Sequence, residues 1–181
     1  MLETLVAEEP KNVGLRLSLT SANVSLGQRL TLEDHPEQAI AAADPNDADI
    51  RIYLAEGYAN LGKSLALAGW SKEGLADIER AIGMCRGLLR SDPENNLVPE
   101  VLYIAYENLG DLHRDLALKS KGPATQGTWR LAREAYVKER DTLLALKAAG
   151  KLPELRYKVI DEAEGKIARC DQAMARSAGA R

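Results

Sequence analysis

Leu75, Ile78, Ile82, Cys85 and Leu89 follow one another at intervals of three and four residues. That spacing places side chains on one face of an α-helix. The same steps recur along the chain. Leu15, Leu19, Ala22 and Leu26 form one stripe; Ile50, Leu54, Gly57 and Leu61 a second; Val98, Leu102, Ala105 and Leu109 a third. Trp129, Ala132, Tyr136, Leu143 and Leu146 face inward from a helix running from Thr128 to about Ala149, after a polar loop spanning 119–127. Leu155, Val159, Ala163, Ile167, Cys170 and Met174 mark a last helix over about 153–176, whose opposite face is highly charged. Alternating apolar positions, the mark of a strand, are absent. All seven prolines fall at or near expected helix ends, including Pro99, placed in a first turn where its missing N–H costs little. The chain is expected to be all-α.

The pattern repeats. Glu8-Glu-Pro-Lys-Asn12, Ala43-Asp-Pro-Asn-Asp47 and Ser91-Asp-Pro-Glu-Asn95 match one another, as do Val24-Ser-Leu-Gly27, Ala59-Asn-Leu-Gly62 and Glu107-Asn-Leu-Gly110. From Pro10 to Gly27, from Pro45 to Gly62 and from Pro93 to Gly110 the distance is 17 residues each time. Each of these segments, with Asn or Asp two residues after its proline, supplies a stop for one helix and a cap for the next. Gly27, Gly62 and Gly110 fall inside helices, where each costs about 1 kcal/mol relative to Ala. A cost repeated at one register implies close approach of a second helix. After Gly62, the stretch Leu65-Ala-Leu-Ala-Gly69-Trp70-Ser71 reads as a helix end, a turn and a new start, so each unit is a helix–turn–helix.

Tyr58-Ala-Asn-Leu61-Gly62, Leu65, Gly69, Gly74-Leu75, Ile78 and Ala81-Ile82 resemble the tetratricopeptide repeat (TPR). The motif returns as Tyr106-Glu-Asn-Leu109-Gly110 and, weakly, as Asn23-Val-Ser-Leu26-Gly27. The resemblance implies a single right-handed TPR-like solenoid over 1–181, with units at about 10–43, 46–91 and 94–149 and a C-terminal capping helix at about 153–176. The departures are in length. The step from Pro45 to Pro93 is 48 residues, against 34 for an ordinary unit, so the hairpins are expected to be longer at one edge. Pro10 to Pro45 spans only 35, which truncates the first unit. Either that hairpin is lopsided or part of the natural chain is missing. Leu5-Val-Ala-Glu-Glu-Pro10 aligns with Leu88-Leu-Arg-Ser-Asp-Pro93, so the chain is expected to be a C-terminal piece of a longer protein. The spacing, the Trp- and Tyr-bearing helix and the tail Ile167-Ala-Arg-Cys-Asp171 resemble the C-terminal region of large bacterial serine/threonine kinases with TPR units. This implies a regulatory or scaffolding arm, with any kinase activity lying in an upstream domain.

Composition narrows the picture further. The 181 residues carry 24 Lys plus Arg against 27 Asp plus Glu, a net charge of −3. No bulk positive field exists for nucleic acid. No apolar run is long enough for membrane insertion and the N-terminus lacks the form of a signal peptide. Aromatic residues are 4 %, with no Phe, which also disfavours an all-β fold. Cys85 and Cys170 read as small buried apolar residues. His113 sits on the inner face of its helix and His35 beside Pro36, and neither has companions at metal-ligand spacing. No kinase, hydrolase or metalloprotease motif appears. Catalysis, cofactors and metal are not expected. A cytoplasmic location is the default, with the extracytoplasmic side open if a membrane segment lies upstream.

In TPR arrays the first helix of each unit lines the concave face. By resemblance the groove positions are Ser21, Val24, Gln28, Thr31 and Leu32; then Glu56, Ala59, Lys63, Ala66 and Leu67; then Ile104, Glu107, Asp111, Arg114 and Asp115. Glu107, Asp111 and Asp115 step by four into an acidic stripe, tempered by Arg114 and Lys63. Members that capture a C-terminal carboxylate use basic residues on this face; Ala59 and Glu107 stand in such places, so a partner of basic or mixed charge is expected. The principal expectation is a module that binds a peptide or protein on this face. The alternative is a homodimerisation domain using the gap near residues 36 to 50.

Overall fold

The computed structural model describes residues 48–120 and 124–179. Every regular element among them is helical: α1 (Ala48–Leu67), α2 (Ser71–Ser91), α3 (Val98–Lys119), α4 (Ala124–Ala148), a 3-10 turn (Glu154–Arg156) and α5 (Lys158–Gly179). Two compact units divide between Glu94 and Asn95. The first repeat unit and Gly27 lie outside the described residues. No helix among the described residues is long and apolar enough to cross a membrane.

In the first unit α1 and α2 form a hairpin. The turn is set by Gly69, whose φ of +94° puts it in the left-handed region. The N–H of Gly69 bonds the carbonyl of Ala66 at 3.1 Å and that of Trp70 the carbonyl of Leu65 at 2.9 Å. This Schellman pairing satisfies carbonyls that the helix end would otherwise leave open. Small residues line the seam. A Cβ added to Gly62 would lie 2.6 Å from the Gly74 carbonyl oxygen and from Ile78 Cγ1; one added to Gly74 would lie 2.5 Å from the Gly62 oxygen. The two backbones therefore touch where neither residue has a side chain. Ile52, Ala55, Ala59 and Leu65 of α1 are buried, as are Ile78, Ala81, Ile82, Cys85 and Leu88 of α2.

The buried stripe of α1 differs from the one read off the sequence. Leu54 is 47 % exposed and Leu61 only half-buried, whereas Ala55 and Ala59 are fully covered. The close approach at Gly62 turns the small-residue face toward α2 and rolls the leucines off the seam.

Asp92 and Asn95 act in the connection as their positions suggest. Asp92 Oδ1 accepts from the Glu94 N–H at 3.2 Å. Asn95 Oδ1 accepts from the N–H groups of Leu97 and Val98, both at 3.0 Å, which closes the start of α3.

In the second unit α4 packs on α3 and α5 packs on α4. One apolar cluster joins Ala117 of α3, Trp129, Ala132 and Tyr136 of α4, and Ile167 and Cys170 of α5. A second joins Tyr103, Leu143, Leu146, Leu152 and Ile160. The Tyr136 ring lies on Gly110, where any Cβ would collide with it. Gly150, with φ of +67°, ends α4 by the same device as Gly69: Gly150 N–H to the Lys147 carbonyl at 3.0 Å, Lys151 N–H to the Leu146 carbonyl at 2.9 Å.

Two sequence expectations shift here. Helix α4 begins at Ala124, four residues before Thr128, and absorbs Gly127, whose Cβ position is open. Leu155 is not part of the last helix's apolar face; it is 86 % exposed. Pro153 starts a 3-10 turn, closed by Arg156 N–H on the Pro153 carbonyl at 2.8 Å. The tighter winding of about three residues per turn throws Leu155 out of register. Leu152 and Ile160 fill the core instead.

Gly62→Ala should therefore destabilise the protein by about 1–3 kcal/mol despite the better helix propensity of Ala. Gly83→Ala, on α2 with nothing within 4 Å of its Cβ position, should raise stability by up to about 1 kcal/mol. Urea unfolding followed by circular dichroism checks both; equal effects would contradict the seam.

Candidate functional site

The groove residues named from the sequence divide among different environments. Gln28 lies outside the described residues. On α1, Lys63 is exposed, Glu56 half-buried and Leu67 75 % exposed. Ala59 is not a groove residue, because it is fully covered in the hairpin core. On α3, Ile104 is half-buried and packs against the Tyr103–Leu143 cluster.

The remaining four residues of α3 belong to two polar groups on either side of Tyr136. Glu107 Oε1 meets Lys166 Nζ of α5 at 2.6 Å. Asp111 Oδ1 accepts from the Tyr136 hydroxyl at 2.8 Å and from Arg114 Nη1 at 2.8 Å. Arg114 also donates to Asp115 Oδ1, from Nε at 3.0 Å and from Nη2 at 2.8 Å. The side chains of Asp111, Arg114 and Asp115 are 26 %, 38 % and 43 % exposed. The acidic stripe is thus real as spacing but largely neutralised. Arg114 bridges two of its carboxylates and Lys166 answers the third.

Geometry explains why these contacts form. Gly110 carries no side chain, so Tyr136 can lie across α3, and its hydroxyl reaches the neighbouring Asp111. Burial first, and then the Asp111 carboxylate, push the Tyr136 phenol well above its ordinary range, so it stays a donor.

One residue of the network escapes a reading of motifs. Glu139 of α4 has no exposed surface, yet Lys166 Nζ donates to its Oε1 at 3.0 Å. Its signal was in the apolar stripe. Tyr136 and Leu143 are seven residues apart, and a helix needs an inward residue between them. Position 139 fills that gap with a carboxylate. Burial pushes the Glu139 carboxyl up to about 7, against the pull of Lys166. For Lys166 burial works downward, but the hydrogen bond to Glu107 and the charges of Glu139 and Glu107 outweigh it, and its ammonium is held above the ordinary value.

The chemical reach of the arrangement follows. Glu139 is sealed from solvent, so no substrate touches it in this state. Both thiols are buried and burial raises them, Cys85 to about 12, which leaves little thiolate. His113 is buried on α3. Among the described residues no three His, Cys, Asp or Glu side chains form a group able to hold a metal ion. What reaches solvent is a fixed pattern of alternating charge on α3.

Lys166→Met should destabilise the protein by about 2–4 kcal/mol at pH 8, because it strands Glu139 and Glu107 without their cation. The loss should shrink at pH 6, where Glu139 can take up a proton. Thermal unfolding of both proteins at the two pH values checks this.

Comparison of the chain with protein-family models, with curated proteins and with solved structures gives no match.

Proposed function

We propose that the chain is a non-catalytic interaction module of TPR-like helix hairpins that binds a peptide or protein partner. The recognition surface is the α3 face bearing Asp111, Arg114 and Asp115. The observation that carries this reading is their pre-organisation. Asp111 is held by the Tyr136 hydroxyl and Arg114 by two carboxylates, yet all three side chains keep a quarter or more of their surface in solvent. Side chains already locked in place lose little entropy on binding, which favours recognition of a partner's charges.

Internal pairing refines the partner's chemistry. With Arg114 and Lys166 balancing most of the stripe, a purely basic ligand gains little. A segment of mixed charge fits better, offering a cation to Asp115 and an acceptor to Arg114. The resemblance to the arms of bacterial kinases extends this reading to a scaffolding role within a longer protein.

The test uses variants that leave the interior intact. Asp115→Lys and Arg114→Gln change only half-exposed groups, unlike Glu107 or Asp111. A partner recovered by affinity capture, then purified and titrated by calorimetry, should bind Asp115→Lys at least tenfold more weakly. Unchanged affinity for both variants would remove this face as the site.

A further inference from the structure

Helix α5 is held on the second unit at two apolar places. Ile160 enters the cluster of Tyr103, Leu143, Leu146 and Leu152. Ile167 and Cys170 enter the cluster of Ala117, Trp129, Ala132 and Tyr136. Between the two anchors lies a charged junction. Lys166 Nζ sits 2.6 Å from Glu107 Oε1 of α3 and 3.0 Å from Glu139 Oε1 of α4. Lys166 is 12 % exposed and Glu139 not at all.

The charges at this junction do not balance. One ammonium faces two carboxylates. Asp111, also on α3, adds a further negative field at Glu139, although Arg114 and the Tyr136 hydroxyl already engage it. Tyr136, on the same helix as Glu139, places its ring 5.3 Å from Lys166 Nζ. With Glu139 ionised, the three linked groups carry one excess negative charge; Glu107 keeps 30 % of its side chain in solvent but Glu139 keeps none, so the uncompensated charge at Glu139 is costly. With Glu139 protonated they are neutral, and Lys166 answers Glu107 alone. Lifting α5 away would return Glu139 to water and remove the imbalance.

We propose that this junction is a proton-operated latch: a proton taken up at Glu139 tightens the docking of α5 on the α3–α4 hairpin, and its release loosens α5. The direction follows from the site. Burial raises the docked carboxyl from its ordinary value to about 7. A carboxyl raised by docking favours the docked state fully below its ordinary value, and that advantage is lost as pH rises through the raised value. Lys166 is charged on both sides of this window and contributes no slope there. Between pH 6 and pH 8 the docking equilibrium should weaken about tenfold. The device is independent of which partner, if any, occupies the α3 face.

Hydrogen exchange on the full chain, read by mass spectrometry and corrected for intrinsic rates, tests the latch. Protection over 158–179 should fall about tenfold from pH 6 to pH 8, while protection over 71–91 stays level. In Glu139→Gln the difference over 158–179 should vanish, with protection at pH 8 as high as at pH 6. Carbon-13 titration of the Glu139 carboxyl in the unmodified protein should give a midpoint well above that of an exposed glutamate. An ordinary midpoint would overturn the proposal. So would equal α5 protection at both pH values, or a pH step that survives in Glu139→Gln and so belongs to another group such as His113. Should that variant fail to fold, the titration and the exchange of the unmodified chain decide the matter.

Discussion

Among the described residues, each hairpin closes at a helix-interior residue with no side chain, backbone against backbone in the first unit and backbone against ring in the second. Where Gly62 meets Gly74, each glycine occupies the space that the other's Cβ would need. Where Gly110 meets Tyr136, the empty position is filled by an aromatic ring. A helix-interior glycine is costly by itself, so the compensation must come from packing. Dispersion across a gapless seam and the burial of Ile78 and Tyr136 beside it supply that compensation.

The second unit builds its polar chemistry on this contact. Tyr136 lies flat because Gly110 allows it. From there its hydroxyl reaches Asp111, Asp111 holds Arg114, and Arg114 holds Asp115. On the other side of Tyr136, Lys166 approaches the ring and spans Glu107 and Glu139. One glycine thus sets both a half-exposed charge pattern on α3 and a buried junction under α5. The exposed pattern supports recognition of a partner; the buried one supports response to pH. They meet at Tyr136, whose hydroxyl holds Asp111 while its ring faces Lys166.

Much of the helical layout was legible in the chain. Steps of three and four residues located α2, α3 and the inward face of α4, where Trp129, Ala132, Tyr136, Leu143 and Leu146 are all buried. Gly69 and Gly150 marked helix ends because only glycine adopts their positive φ at no cost. The site was harder to see. Glu107, Asp111 and Asp115 stood out by spacing, but their partners Lys166 and Tyr136 are 59 and 25 residues distant from the groups they bond. Nothing local announces such pairs.

The sequence by itself therefore determined that the regular elements among the described residues are helical, that the chain turns at Gly69 and after Asp92, and which positions carry charge at helical spacing. These are local properties, set by backbone sterics, capping and periodicity. The tertiary structure alone decided which face of α1 turns inward and that Glu139 is buried against Lys166. Those outcomes depend on helix rotation and on contacts between residues far apart in the chain. A single close approach between two helices changes them without altering any local preference.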